Sequence, residues 1–392
     1  MSIASATIAQ GLGHPQRVPA FLVAALSLSL AGLPLLSHAP NRLLTGHGIS
    51  LISLLHGQRA ALALPLLVLP LLPWLRPGRR GAGLTLLAVA LALFSLLALA
   101  GSEAAHRVGP DTPFGRTSFG GGFWLAILLL GLLGAEAAAR YAATTPRRTL
   151  LLSLLSLPAA WLVWSGQLDQ TSILREYANR KEAFDDALLQ HLQIVVLTVV
   201  PALLLGVPLG LAAFRRASLR RAIFSVLNLI QTVPSIALFG LLIAPLAALA
   251  ARLPALGIAG VGMTPAVIAL TLYALLPIAR STCAGMQLVP ATAKEAAAGM
   301  GMTARQIFWR IELPLCLPSM LSGARVTAVQ AIGLASVAAL IGAGGFGALM
   351  FQGLLSSALD LVLLGVIPVV ALAIVADALF KVGIAFLETS HA

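Results

Sequence analysis

The residues best placed to do chemistry in this 392-residue chain lie in one polar interruption of an apolar second half, Val289 to Met320, VPATAKEAAAGMGMTARQIFWRIELPLCLPSM. Pro290 can open a helix there, and Ala293, Ala296, Ala297 and Ala298 are strong helix formers with small side chains. Gly299 and Gly301 supply the backbone that ends it. Thr303, with Gln306 three residues on, forms a capping box for a second helix, whose apolar face includes Ile307, Phe308 and Ile311. Pro314 and Pro318 are expected to break the chain before the next apolar run. Two stiff helices about a glycine turn suit the transmission of a displacement. Small alanines let a partner surface approach the backbone, and Glu295 can pair with a basic group on that partner. Taken alone, Glu295 reads equally as an exposed acid near a helix start, favourable to the dipole.

Other chemistries lack their residues. No G-x-x-x-x-G-K-[ST] sequence exists, and none of Lys181, Lys294 and Lys381 follows a glycine loop, so the chain cannot build a P-loop and any ATP must be hydrolysed elsewhere. Cys283 and Cys316 have no metal-ligand spacing and read as two inert thiols, with no metal site and no catalytic group. The glycine-rich run Gly342 to Gly347 reads as close helix packing or a re-entrant bend. Ionisable groups inside apolar runs are costly and therefore candidates. Glu136 with Arg140 and Asp377 with Lys381 have the spacing of pairs on one helix surface. Arg325 is expected to snorkel inward or to pair with the 289–320 region.

These residues must be positioned by membrane-spanning helices. The chain is 59% hydrophobic and 10% charged, against about 25% charged in a soluble domain, so it lacks the polar surface to cover a globule. Runs of about 20 apolar residues cross ~30 Å of hydrocarbon. They fall near 19–37, 60–75, 83–101, 123–140, 149–166, 190–213, 222–249, 264–282, 317–341 and 361–386. The first reads as a retained span, because no A-x-A-like cleavage site closes it. The reading is an all-α polytopic membrane protein of about ten transmembrane helices. With the N-terminus cytoplasmic, inside loops hold sixteen Lys and Arg and outside loops eight, which places both termini in the cytoplasm by the positive-inside rule. The net charge of +12 is then an orientation signal and not a nucleic-acid footprint. Residues 167–187 read as a solvated amphipathic helix between five spans and five.

The 289–320 loop resembles the EAA loop of permease subunits of ABC importers, E-A-A, three residues, G, nine residues, I, one residue, L-P. Glu295, Ala296, Ala297, Gly301, Ile311, Leu313 and Pro314 match every fixed position. The resemblance narrows to the glycine betaine/carnitine/choline branch over 188–392. It is carried by Gln231-Thr232-Val233-Pro234-Ser235, Pro265 to Leu270, Tyr273 to Ile278, Gly299 to Thr303, Glu312-Leu313-Pro314 and Ile341 to Gly347. The preceding spans look like those of a longer variant with extra helices. The resemblance implies a bacterial inner-membrane permease in three parts: an accessory region 1–167, an external segment 168–187, and a five-helix core 188–392 with its coupling loop at 287–316. It also implies a separate ATPase that binds ATP and Mg, an external substrate-binding protein, a second permease copy or paralogue, and no cofactor on this chain.

A quaternary ammonium substrate is held by aromatic faces through cation–π attraction. Asn228, Gln231, Thr232, Ser235 and Tyr273 are the candidates for lining its path, and interhelical hydrogen bonding explains them as well. An importer of another small solute such as an amino acid, a secondary transporter, and a membrane scaffold remain open at this point. The scarcity of intramembrane acids speaks against a secondary transporter.

Overall fold

The computed structural model describes residues 17–41, 44–56, 59–74, 78–108 and 114–390. Arg42 and Arg76, two of the loop cations counted above, lie outside them. The chain divides into two compact units, Met1–Asn179 and Arg180–Ala392. Among the described residues seven helices are long and apolar enough to cross a membrane, with shorter apolar helices beside them.

The first unit contains α1 (Arg17–Gly32), strands β1 (Leu36–Ala39) and β2 (His47–Ile49), and the short α2 (Leu51–Leu54). Next come α3 (Arg59–Val68), α4 (Arg79–Arg107), strand β3 (Arg116–Phe119) and α5 (Gly121–Tyr141). It ends with α6 (Thr145–Leu154), α7 (Leu157–Trp164) and α8 (Ser172–Asn179). The apolar run at 149–166 is thus two short helices, parted between Leu154 and Leu157. Leu26, Leu96, Leu99, Leu130 and Leu133 fill the core of the unit.

A small antiparallel sheet of order β2-β1-β3 sits among these helices, which an all-helical reading did not foresee. Its strands are three and four residues long, too short for alternation to register. The start of the 167–187 segment is folded onto the sheet: Thr171 bridges Thr117, and Arg175 donates to the Gly115 carbonyl at 2.8 Å. The expectation of one solvated helix over 167–187 is corrected accordingly. Only 172–179 form α8, the chain breaks at Arg180, and Glu176 is buried against Arg116 at 3.1 Å. Buried Glu103 likewise pairs with Arg59 and, at 2.5 Å, with Arg107. A buried acid needs such partners.

His38 of β1 hydrogen-bonds Thr117 Oγ1 at 3.0 Å. Burial first, then Arg107, hold its pKa below the ordinary histidine value, with Glu103 acting the other way. A depressed folded pKa means stability that is full above the unfolded pKa and is lost as pH falls below it. The thermal stability of the detergent-purified protein is therefore expected to fall as pH drops below about 6.5. His38→Gln should flatten that part of the profile; an unchanged slope would count against the assignment.

The second unit is built on α9 (Lys181–Arg215), α10 (Ala217–Thr232), α11 (Ser235–Arg252) and α12 (Met263–Leu288). They are followed by α13 (Ala291–Gly299), α14 (Ala304–Ile307), α15 (Leu313–Val337), α16 (Phe346–Leu355) and α17 (Leu359–Ser390). The run at 222–249 is not one helix: Val233 is extended and Pro234 starts α11 anew. Helix α12 is the central post. Small residues bring its neighbours close, as expected for helices in lipid: Gly206 and Gly210 of α9 lie against the α12 backbone at Leu275 and Ala279, and Gly323 of α15 lies against Ser281 and Pro277. Ser319 Oγ donates to the Ser281 carbonyl at 2.9 Å across the same α12–α15 seam. The 342–347 run forms a tight turn into the ten-residue α16, in keeping with a re-entrant bend.

Candidate coupling site

The loop between α12 and α15 folds as its residue types dictate. Helix α13 starts after Pro290. It closes with Gly301 N donating to the Ala298 carbonyl at 2.9 Å and Met302 N donating to the Ala297 carbonyl at 3.1 Å. That pair of bonds is a Schellman ending, which needs a left-handed residue; Gly301 supplies it at φ +80°. Thr303 then caps α14 in both directions, its N–H donating to Gln306 Oε1 at 2.8 Å and its hydroxyl accepting from Gln306 N at 3.4 Å.

The break expected at Pro314 and Pro318 does not occur. Helical chain runs from Ala304 to Val337, and Phe308–Glu312 forms a π-helical turn in which Leu313 N donates to the Phe308 carbonyl. Pro314 has no N–H for the carbonyl four residues back. The ladder is already displaced by one residue where it arrives, so the helix passes through the proline without stopping.

Of the motif residues, Glu295, Ala296 and Gly301 are exposed, Ala297 is buried, and Ile311, Leu313 and Pro314 are half-buried at the π turn. Ala297 anchors α13 from within while Glu295 and Ala296 face out. A groove of about 900 Å³ runs beside them, lined by Arg215, Lys294, Glu295, Ala298, Phe308 and Trp309 among others. Several of its features were not read from the sequence. Lys294 pairs with Glu312 at 3.8 Å, tying α13 to the π turn. The Arg215 guanidinium lies 5.1 Å from the Phe308 ring centroid, which ties in the end of α9. Lys294, just before the motif, and Glu312, at its variable position between Ile311 and Leu313, were the available signal.

The path candidates gather at the α10–α11 break, but their polar atoms are engaged. Asn228 Oδ1 accepts from Arg280 at 2.6 Å, and Gln231 Nε2 donates to the Tyr273 carbonyl at 2.7 Å. The Tyr273 hydroxyl donates to the Val233 carbonyl, and Thr232 Oγ1 donates to the Leu229 carbonyl at 2.7 Å. Ser235, half-buried, begins α11. Glu136 and Arg140 pair at 2.6 Å, as their spacing suggested. Arg325 pairs neither with the loop nor with the interface: it meets Asp377 of α17 at 2.6 Å, and Lys381 meets the same carboxylate at 2.7 Å.

Residues 202–383 match the family described as "Binding-protein-dependent transport system inner membrane component", and residues 15–174 match "ABC transporter permease YehY, N-terminal domain". The osmoprotectant import permease protein OsmW of Salmonella typhimurium is 40% identical over 188 residues, 48% of this chain and 84% of that protein. The chain belongs to the binding-protein-dependent transport permease family. The carnitine transport permease protein OpuCB of Listeria monocytogenes is 38% identical to the permease over 188 residues, 48% of this chain and 80% of its own. An inward-facing structure of the MetNI methionine ABC transporter matches with TM-score 0.45 and 22% identity, over 52% of this chain and 97% of that one. The permease is thus a multi-pass inner-membrane subunit of an ABC importer, not itself catalytic. ATP hydrolysis belongs to a separate subunit, and the system works with a binding protein. The secondary-transporter and scaffold readings are set aside.

Proposed function

We propose that this permease imports osmoprotectants, glycine betaine, choline or related quaternary amines, with α13 as the element through which the ATPase acts. The substrate reading rests on its relatives, named for osmoprotectant, carnitine, and glycine betaine/carnitine/choline transport. Two permeases, identical or paralogous, would enclose the path. ATP binding closes the ATPases, α13 moves, and the spans exchange inward- and outward-facing states whose balance the partner's ligand biases.

The single observation that carries the coupling assignment is the placement of Glu295 and Ala296 on the outer face of a nine-residue helix, held at one end by the Gly301 turn and from beneath by Ala297. Glu295, Ala296, Ala297, Gly301, Ile311, Leu313 and Pro314 form the coupling set in this reading. Asn228, Thr232 and Ser235 line the path, with Gln231 and Tyr273 as the layer that holds them. The three parts are the accessory region 1–167, the external segment 168–187 and the core 188–392.

Ten spans and cytoplasmic termini are part of the proposal, and pairings within each unit support them. In the first unit the strands at 36–39, 47–49 and 116–119 all come from segments placed outside by the charge count, and they pair in one sheet. In the second, Gly262 N donates to the Ile341 carbonyl at 2.7 Å, joining two outside connections, and Arg215 over the Phe308 ring joins two inside ones.

The test is ATP-driven uptake of radiolabelled glycine betaine in proteoliposomes carrying the permease with its ATPase and binding protein. Glu295→Lys reverses the charge offered to the ATPase, and uptake is expected to fall by about tenfold or more, the scale of one lost charge-assisted contact. Unchanged uptake and unchanged ATPase co-purification would sink the coupling assignment. Wild-type uptake of another solute but not of glycine betaine or choline would sink the substrate assignment alone.

A further inference from the structure

Two backbone carbonyls in the core lack a helical partner, one because the residue four positions on is proline and one because it lies in the extended break before a proline, and each is satisfied by a side chain from the other's element. In α12 the Tyr273 carbonyl would accept from residue 277, which is proline and has no N–H. Gln231 of α10 donates to it at 2.7 Å. At the α10–α11 junction the Val233 carbonyl precedes Pro234, at an extended residue, and the first bond of α11 is Leu238 N to the Pro234 carbonyl. The Tyr273 hydroxyl donates to the Val233 carbonyl. Away from water an unpaired carbonyl is costly, so each irregularity is stabilised by the other helix. Tyr273 is buried and lies with Ile230, Val233, Phe239 and Leu270 in one apolar cluster, which keeps water from replacing the bonds.

We infer that Gln231 and Tyr273 are positioning residues for transport: a reciprocal clasp that makes the α10–α11 break and the Pro277 site of α12 move as one body. The inference rests on the coupling role proposed for α13 and is independent of which solute is carried. Helix α12 runs into α13 through Val289 and Pro290, so a displacement of α13 arrives first at the cytoplasmic end of α12. The clasp delivers it to the break, where Thr232 and Ser235 stand. Without the clasp α12 moves and the break lags, so ATP is hydrolysed without delivery of solute.

The test compares Tyr273→Phe, which removes only the hydroxyl, with Gln231→Leu and with the double variant. Each is purified with its ATPase and binding protein in lipid nanodiscs for ATPase rates and in proteoliposomes for uptake. The readout is solute moved per ATP hydrolysed, together with the stimulation of ATPase by the binding protein, which needs no knowledge of the solute. Each single change is expected to lower the coupling ratio about fivefold, the factor one such hydrogen bond is worth. The double should be no worse than the poorer single, because both bonds serve one body. Pro277→Ala returns an N–H to the Tyr273 carbonyl and should reduce the effect of Gln231→Leu.

An unchanged ratio in both singles, additive losses in the double, or a parallel fall of uptake and ATPase as folded protein is lost would each overturn the clasp. Glu295→Lys distinguishes the two assignments. If it leaves stimulated ATPase intact, the coupling role fails; if it abolishes stimulation while the clasp variants do not alter the ratio, the clasp alone fails.

Discussion

Gly210→Leu is expected to remove folded permease from the membrane almost completely. A Cβ at this position would stand 2.6 Å from the Ala279 carbonyl oxygen and 2.6 Å from Thr282 Cβ. The first obstacle is backbone of the central helix and cannot rotate away. Forcing side chains into a packed core costs about 1–3 kcal/mol where neighbours can yield, and here two helix axes must part over several turns. Gly206, one turn earlier, has Ile278 Cγ2 2.9 Å from where its own Cβ would stand, so the α9–α12 seam has little slack in which to absorb the shift. Gly240→Leu in α11 is the control, since nothing lies within 4 Å of its added carbon; its effect should stay within about 0.5 kcal/mol. The check is the yield of monodisperse protein after detergent extraction and its thermal midpoint. Equal behaviour of the two variants would refute the packing account.

Asp377→Leu should be a damaging removal of a single charge from the second unit. Its carboxylate serves Arg325 of α15 and Lys381 of its own helix, so the change strands two cations. Breaking a buried pair by deleting one partner costs about 3–5 kcal/mol. The side chains here are 28% to 43% exposed, and screening at that exposure discounts the cost. The expected loss is about 1–2 kcal/mol. Arg325→Leu combined with Asp377→Leu should be more stable than Asp377→Leu alone, since only Lys381, at the end that can snorkel, is left. Thermal unfolding of the three proteins decides it. A double variant weaker than the single would mean that the ions do not act as a pair.

How much of this was legible in the chain depends on the length of the pattern. Long apolar runs gave the long helices, and the coupling loop could be drawn turn by turn because each of its signals, Thr303 with Gln306 and the glycine turn at 301, acts over four or five residues. The sheet was hidden because β1 to β3 are shorter than any alternation. The break at Val233 was hidden because apolar residues flank it on both sides and hydropathy does not distinguish a straight helix from a broken one. Gln231 and Tyr273 were picked out as polar residues in apolar runs, but their partners are backbone carbonyls, which carry no letter in the sequence. A proline reveals which carbonyl it orphans, so Pro277 pointed to Tyr273; what satisfies that carbonyl comes from a helix 42 positions away.

The π turn at Phe308–Glu312 bears on how the family's spacing tolerates insertions and deletions. An α-helix rotates every downstream side chain by about 100° when one residue is lost, so a deletion within Leu313–Val337 would turn the remainder of that span away from α12. The π turn holds one residue more than an α-turn. It is the place in this helix where a residue can be lost by tightening the turn while Leu313 onward keeps its facing, although Pro314 would then press its ring on a carbonyl that the present register avoids. The interval of nine residues between Gly301 and Ile311 therefore ends inside this turn, which begins at Phe308.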